Sequence, residues 1–189
     1  MDEGRRRLGR TVRAAAEQSE IARCLIIGCG CRGLALAREL IAAGHAVRAT
    51  TRDPGRVGEI EAAGVEAVVG DPDVVATLAR PLEHVSVACV LLGSAVGSRE
   101  QLAALHGTRL EMLLTRMVDT TVRGIVYEAS GSVQEAVLEA GAARVRERCE
   151  DARIPYALLR ADPGDVDAWT LAAVAAVNSA LDGGSGGPR

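Results

Sequence analysis

Three glycines at a fixed spacing suggest the clearest chemistry in this chain. Gly28, Gly30 and Gly33 form a G-x-G-x-x-G pattern that follows the apolar run 25–27 and opens an Ala- and Leu-rich segment. In this context the first glycine permits a tight turn, the second lets the backbone approach a pyrophosphate, and the third lets a helix pack closely on a strand. The free N–H groups at the start of that helix, around Cys31, would then face the phosphates. The pattern therefore predicts a dinucleotide site.

The end of the second predicted strand indicates which dinucleotide the site would take. An NAD site usually carries Asp or Glu there, about 20 residues past the first glycine, on the ribose 2′-OH. Here the strand ends in Thr51 and Arg52, and Arg52 can bind a 2′-phosphate in bidentate fashion. Arg32, in the glycine loop, is a second candidate for the same phosphate, with a solvent-facing residue at the helix start as the alternative. NADP(H) is therefore favoured over NAD(H). Asp53 is an alternative ribose ligand, but Pro54 follows it directly, which favours Asp53 as a helix N-cap.

Short apolar strands alternate with amphipathic helices along the chain. The predicted strands are 24–27, 46–50, 66–69, 85–92, 124–128 and 154–159. The predicted helices are 31–43, 54–63, 74–79, 99–119, 132–152 and 166–181. This alternation is typical of an α/β fold of the Rossmann type, a doubly wound parallel sheet with strand order 3-2-1-4-5-6. The ligand crevice then lies at the carboxyl ends of strands 1 and 4, where the order reverses.

A second glycine-bearing loop is predicted to meet the first one at this crevice. Residues 93–98 follow the fourth strand and are rich in Gly and Ser. Leu92, Gly93 and Ser94 are therefore candidate cofactor contacts.

Length and composition limit the remaining possibilities. The chain has 189 residues, 48% of them apolar, and a formal net charge of -3, which suits one domain with a substantial core. We expect a polar flexible extension at 1–20, a nucleotide-binding domain at 21–182 and a disordered Gly-rich tail at 183–189. No apolar stretch approaches the roughly 20 residues that span a bilayer. The acidic balance argues against nucleic-acid binding.

Five cysteines and three histidines give no recognisable metal pattern. The number of cysteines is odd and we expect no signal peptide before them. Reduced thiols in a cytoplasmic protein are therefore expected. The spacing Cys29-x-Cys31 with scattered histidines does not match a metal site, and we predict none. Cys29 and Cys31 begin a helix, where a thiolate is favoured, but two small residues filling a tight loop is the preferred interpretation. His106 is predicted to lie on a helix surface.

An ordered series of short motifs resembles a known superfamily. The series comprises the glycine loop and the segments 51–54, 70–71, 91–94, 126–131 and 155–160. It is similar, over roughly residues 23–163, to the atypical and extended short-chain dehydrogenase/reductases. The similarity is closest to the single-domain NAD(P)H-binding branch that includes NmrA-like regulators and small flavin or biliverdin reductases.

The resemblance implies roles for individual residues. Asp71 matches the acid that hydrogen-bonds the adenine amino group, with a plain helix cap as the alternative. Gly93 and Ser94 match the loop that lines the ribose and nicotinamide side. Ser130 matches the position of a catalytic serine, although an ordinary turn serine is the favoured alternative. Glu128, at the end of the fifth strand, is a second weak catalytic candidate as an acid or base.

The chain departs from this superfamily at its catalytic pair. Active members carry Tyr-x-x-x-Lys on the helix after the fifth strand, where Tyr supplies the proton and Lys lowers its pKa. This sequence has no lysine, and its two tyrosines, Tyr127 and Tyr156, fall in predicted strands. Arg144, at the corresponding stretch of helix, stays cationic and cannot act as a base. The usual carbonyl/alcohol redox mechanism is therefore predicted to be absent.

Two functions follow. The first is an NADP(H)-binding module that senses redox state or binds a partner without Tyr/Lys chemistry. The second is a small NADPH-dependent reductase that passes hydride directly to a flavin, quinone or similar aromatic acceptor, the cofactor supplying the chemistry. A degenerate domain that binds no nucleotide is a third reading. Trp169 is expected to be a packing anchor or part of an interface, which leaves a homodimer open.

Overall fold

A six-stranded, all-parallel sheet forms the centre of the molecule. The computed structural model describes residues 21–183, so the predicted extension 1–20 and residues 184–189 of the predicted tail lie outside it. The strands are β1 (Arg23–Ile27), β2 (Ala46–Thr51), β3 (Glu66–Val69), β4 (Val87–Val90), β5 (Gly124–Glu128) and β6 (Tyr156–Leu159). Their order is β3-β2-β1-β4-β5-β6, which confirms the predicted topology.

Helices connect the strands and cover both faces. They are α1 (Cys31–Ala42), α2 (Val57–Ala62), α3 (Arg99–Ala104), α4 (Leu110–Val118), α5 (Glu135–Ala152) and α6 (Val166–Leu181). Two predicted helices are partly or wholly 3₁₀: Pro54–Arg56 precedes α2, and Val75–Leu78 replaces the helix predicted at 74–79. Asp53 is the N-cap, as predicted, because its side chain accepts a hydrogen bond from the N–H of Gly55 at 2.8 Å.

Each sheet face packs on its own apolar cluster because side chains alternate along a strand. Leu25 and Ile27 point to the face covered by α4 and α5, whereas Ile26 points to the face covered by α1 and α6. All three side chains are fully buried. Burial on both faces is what an all-parallel sheet requires, and it accounts for strands that are apolar throughout.

The strand predicted at 85–92 is shorter than its apolar run. The Leu91 N–H still donates to the Ile27 carbonyl at 2.9 Å, and the chain then turns where the Leu92 carbonyl accepts from the Ala95 N–H at 3.0 Å. Leu91 and Leu92 therefore belong to the loop that follows β4. Their apolar character reflects packing beneath the crevice and not a longer strand.

The helix predicted at 99–119 is interrupted. A π-helical turn at Leu105–Arg109 separates α3 from α4, with non-helical backbone angles at Gly107. The turn buries His106, whose Nδ1 lies 2.7 Å from the Tyr127 hydroxyl oxygen. The prediction that His106 lies on a helix surface is therefore wrong, because the helix is interrupted at Gly107 and the His106 side chain is buried against Tyr127.

Close packing also fixes Tyr127 on the side of the sheet that α5 covers. A Cβ atom added to Gly141, in α5, would lie 2.1 Å from the Tyr127 hydroxyl oxygen. Burial raises the pKa of Tyr127 well above its ordinary value. Gly141 is thus needed where helix and strand approach most closely.

Candidate functional site

The three glycines of the loop after β1 have different surroundings. Gly28 has a positive φ of 90°, and a Cβ there would lie 2.5 Å from the Leu91 carbonyl oxygen. A Cβ on Gly33 would lie 3.4 Å from the Ile26 side chain, so α1 packs tightly on β1. A Cβ on Gly30 would have no neighbour within 4 Å. The fold therefore requires glycine at Gly28, a side chain at Gly33 would be in van der Waals contact with β1, and Gly30 leaves open space at the start of α1.

That open space is where an anion would bind. No side chain caps the N-terminus of α1, whose N-cap is Gly30. The first N–H groups of a helix need acceptors, and a phosphate supplies them together with charge that suits the helix dipole. The uncapped helix start thus fits a pyrophosphate.

A cavity of about 550 Å³ opens at the carboxyl ends of the central strands, a size typical of small-molecule and cofactor sites. Most of the predicted cofactor residues line it: Gly28, Gly30, Cys31, Arg32, Gly33, Thr51, Arg52, Leu92 and Ser94. The catalytic candidate Glu128 lines it as well. Asp71, Gly93 and Ser130 are not among the lining residues.

At the end of the cavity near β2, the charged groups are exposed and loosely paired. Arg52 is 54% exposed, and its Nη1 lies 3.9 Å from the Asp73 carboxylate. The same carboxylate lies 3.9 Å from Nε of Arg109. Thr51 accepts a hydrogen bond from the Asp53 N–H through its hydroxyl at 3.2 Å. The Arg52 guanidinium therefore remains available to an incoming anion.

Asp71 and Arg56 make contacts that the sequence did not reveal. The Asp71 carboxylate accepts the Asp73 N–H at 2.9 Å, so it stabilises its own turn. It does not cap the 3₁₀ helix that follows, which has no side-chain cap, and its role at the adenine amino group stays a prediction. Arg56 was not predicted, yet it lines the cavity and donates to the Cys29 carbonyl at 2.8 Å. No local motif marks Arg56, because its position depends on how the turn after β2 folds back onto the glycine loop.

At the end near β5, a different set of groups forms a closed network. Glu128 is 1% exposed, and one carboxylate oxygen accepts from Arg32 Nη2 at 2.9 Å while the other accepts from the Gly93 N–H at 2.8 Å. Arg32 Nη2 also donates to the Ser94 hydroxyl at 2.9 Å. The Arg32 guanidinium carbon lies 5.3 Å from the centre of the Trp169 ring, a cation–π distance. We call Arg32, Ser94, Glu128 and Trp169 the Arg32 cluster.

The Arg32 side chain lies at the other end of the cavity from Arg52. Its guanidinium donates to Glu128 at the end of β5, and a phosphate shared by the two arginines stays a prediction. Strands β2 and β5 are separated by β1 and β4, which corresponds to about 14 Å across the sheet. A basic residue in a glycine loop can project to either side, and the buried carboxylate that decides the side lies 96 residues further along the chain.

The other catalytic candidates are occupied elsewhere. The Ser130 hydroxyl donates to the Ala161 carbonyl at 2.7 Å. The two tyrosines of the chain do not line the cavity: Tyr127 contacts His106, and the Tyr156 hydroxyl donates to Glu150 at 3.0 Å. The loops that carry Gly93 and Ser130 pack backbone to backbone, since a Cβ on Gly93 would lie 2.0 Å from the Ser130 carbonyl oxygen. This packing lies behind the residues that line the cavity.

The cysteines of the glycine loop are unlike each other. Cys29 is buried, and burial raises the pKa of its thiol to about 11. Cys31 is exposed and lines the cavity. Cys29 therefore fills a tight loop as a protonated thiol. Within residues 21–183, no group of three or more His, Cys, Asp or Glu side chains is arranged to hold a metal ion, and no helix is long and apolar enough to cross a membrane.

The sheet order, the glycine loop and the uncapped helix above it define a dinucleotide-binding protein of the Rossmann class. A family model described as NAD(P)H-binding matches residues 28–178. The chain belongs to this NAD(P)H-binding family. No curated protein matches the chain.

Solved structures share the fold at low sequence identity. The NADP(H) complex of a Citrobacter sp. triphenylmethane reductase has a TM-score of 0.59 at 21% identity, over 73% of this chain and 48% of that one. The Bordetella bronchiseptica enzyme WbmG in complex with NAD has a TM-score of 0.59 at 16% identity, over 76% and 54%. ChuY, an anaerobillin reductase from Escherichia coli O157:H7, has a TM-score of 0.54 at 15% identity, over 73% and 71%. The chain spans about half the length of the first two.

Proposed function

We propose that the chain is an NADP(H)-binding protein that holds its nucleotide without Tyr/Lys proton transfer, as a cofactor-binding or redox-sensing module. The observation that carries this proposal is that the candidate proton donors near the cavity are already hydrogen-bonded to other groups of the protein. The sequence has no lysine, both tyrosines are turned away from the cavity, and Ser130 is hydrogen-bonded to a backbone carbonyl. Free thiols at all five cysteines are consistent with the reducing cytoplasm that we include in the proposal.

Glu128 supports binding over acid–base catalysis. Its two carboxylate oxygens accept from Arg32 and from the Gly93 N–H. Protonation of Glu128 would remove the negative charge that pairs with Arg32 and weaken both hydrogen bonds. Losing a partner inside a buried ion pair is costly, so we assign Glu128 to holding the loop after β4 against the glycine loop.

The preference for NADP(H) is argued from the end of the cavity near β2. Asp53, the nearest alternative ribose ligand, is occupied as a helix cap. Arg52 is paired only at 3.9 Å with Asp73, and exposed pairs of this kind contribute little. A 2′-phosphate would give Arg52 a charge-assisted partner worth about 1.5–3 kcal/mol. We therefore expect tighter binding of NADPH than of NADH.

The second candidate function is a small NADPH-dependent reductase. In that case hydride would pass from the reduced nicotinamide to a flavin, quinone or similar aromatic acceptor, and water would supply the proton. An apolar surface beside the cavity favours it: Ala95, Val96 and Leu102 line this side, and Val96 is 87% exposed. The reductases among the structural neighbours are consistent with this alternative.

Calorimetry with a matched arginine control tests the proposal. We expect NADPH to bind at least about tenfold more tightly than NADH. Arg52→Ala should abolish that difference, whereas Arg80→Ala, an exposed arginine outside the cavity lining, should preserve it. Equal or tighter binding of NADH by the unmodified chain contradicts the NADP(H) preference. Absence of binding by both nucleotides contradicts both candidate functions.

A turnover assay separates the two candidates. NADPH absorbance is followed with the protein alone and after addition of FAD, FMN or a soluble quinone. Tight binding without oxidation of NADPH supports the binding module. Protein-dependent oxidation with any of these acceptors supports the reductase.

A further inference from the structure

The two halves of a dinucleotide must lie at opposite ends of this cavity. In a doubly wound sheet the pyrophosphate sits at the helix after β1 and the adenosine ribose at the end of β2. The second nucleoside then extends to the other side, toward the ends of β4 and β5. The side chains at those strand ends are Ser94 and Glu128, and Arg32 reaches them from the glycine loop.

The Arg32 cluster occupies this second end with contacts among its own members. Arg32 bridges from α1 to Glu128 and Ser94 at 2.9 Å each, and it stacks on the fully buried Trp169 of α6. Glu128 in turn holds the loop after β4 through the Gly93 N–H. The cluster therefore joins four parts of the wall: the start of α1, the loop after β4, the end of β5 and the helix α6.

The members of the cluster line this end of the cavity, so a nicotinamide riboside that bound to their polar groups would have to break the contacts between them. The Glu128 carboxylate is almost completely buried, so removal of Arg32 would leave its charge without a counterion. The end near β2 imposes no such requirement, since Arg52 is more than half exposed and Asp73 is 3.9 Å away. Binding of the adenosine half is thus favoured while the other end keeps its internal contacts.

We propose that the Arg32 cluster keeps the nicotinamide end of the cavity closed, so that the chain recognises the 2′-phospho-ADP-ribose part of its ligand and not the nicotinamide. This inference rests on the proposed function, because it requires a 2′-phosphorylated nucleotide at Arg52. It narrows the proposed function to cofactor binding without redox sensing. The oxidised and reduced cofactors bind alike, since the nicotinamide ring that differs between them makes no contact with the cluster. The ligand class is therefore any adenosine 2′-phosphate nucleotide with a 5′-pyrophosphate.

Calorimetry with three ligands tests the inference. The ligands are NADP⁺, NADPH and 2′-phospho-ADP-ribose, which lacks only the nicotinamide. We expect the three dissociation constants of the unmodified chain to agree within about fivefold. Binding of either dinucleotide more than about fivefold tighter than 2′-phospho-ADP-ribose overturns the inference, because it shows that the nicotinamide is recognised. Absence of binding by all three overturns the proposed function instead.

A variant that removes the arginine gives the second arm. In Arg32→Ala, opening of the wall should raise the preference for NADPH over 2′-phospho-ADP-ribose by about tenfold, whereas Arg38→Ala, an exposed arginine on the same helix, should leave the ratio unchanged. An unchanged ratio in a folded Arg32→Ala variant overturns the role of Arg32. Circular dichroism establishes folding, and if the variant does not fold, the measurement on the unmodified chain decides alone.

Discussion

The two ends of the cavity differ in how their charges are partnered. Near β2, Arg52 is more than half exposed and 3.9 Å from its nearest carboxylate. Near β5, Glu128 is buried and has two partners within 3 Å. An exposed and loosely paired charge can accept a new ion at little cost, whereas a buried pair must first lose its contacts. The cavity thus has one end whose charges can bind a new ion, near β2, and one end whose charges are already paired with each other, near β5. We call the second the closed end.

The largest effect should come from the glycine loop that both ends share. Gly28→Ala places a side chain at positive φ and against the Leu91 carbonyl, and we expect a loss of roughly 3 kcal/mol or more in the free energy of unfolding. Gly30→Ala meets no atom within 4 Å and should fold normally, yet lose affinity for every nucleotide because its methyl group fills the phosphate position. Urea denaturation and calorimetry measure the two effects. Normal stability in Gly28→Ala, or normal affinity in Gly30→Ala, would contradict the assignment of these roles.

Two double-mutant cycles compare the ends directly. For Arg32→Met and Glu128→Gln we expect a coupling free energy of about 1–3 kcal/mol, because each single variant leaves a partly buried group without its partner. For Arg52→Ala and Asp73→Ala we expect about 0–1 kcal/mol. Urea denaturation of the unmodified chain and the six variants gives both values. Equal couplings at the two ends would remove the distinction between them.

The residues packed beneath the closed end should make the free energy of unfolding depend on pH. We expect this effect to be smaller than those of the substitutions above. Burial lowers the pKa of His106, which contacts Tyr127 of β5. The unfolded chain therefore takes up a proton first, so the free energy of unfolding should fall as pH drops below about 6.5, by at most about 1.4 kcal/mol per pH unit for this group. His106→Gln should weaken that dependence, whereas His84→Gln, on an exposed residue, should leave it intact. His45, whose pKa burial also lowers, contributes in all three proteins, and an identical pH profile in His106→Gln would contradict this account.

The smallest effect should be a change in the rate at which a maleimide labels Cys31, which lies between the two ends of the cavity. Cys31 is the one exposed cysteine among the five, and it lies at the start of α1. Saturating 2′-phospho-ADP-ribose and NADPH should slow its reaction with a maleimide to the same extent, because both place phosphates there. Mass spectrometry of the labelled peptide measures the rate, with Cys31→Ser as the unlabelled control. Slowing by NADPH alone would indicate that the nicotinamide end contributes.

The fold could be predicted further than the site because its signals are local. Alternating apolar strands and helices predicted the sheet order, and the Asp53–Pro54 pair predicted the cap. The kink at Gly107, next to the buried His106, has no periodic signature in the sequence. The contacts of Arg32 could not be predicted for a related reason. They depend on Glu128 and Trp169, which only the folded sheet brings beside the glycine loop.

A crystal structure with NADPH bound tests the central claim most directly. We predict the 2′-phosphate at Arg52 and the pyrophosphate at the start of α1, with the Arg32–Glu128 ion pair intact and the nicotinamide outside the wall. An ordered nicotinamide ring between Glu128 and Trp169, with that ion pair broken, would contradict the account.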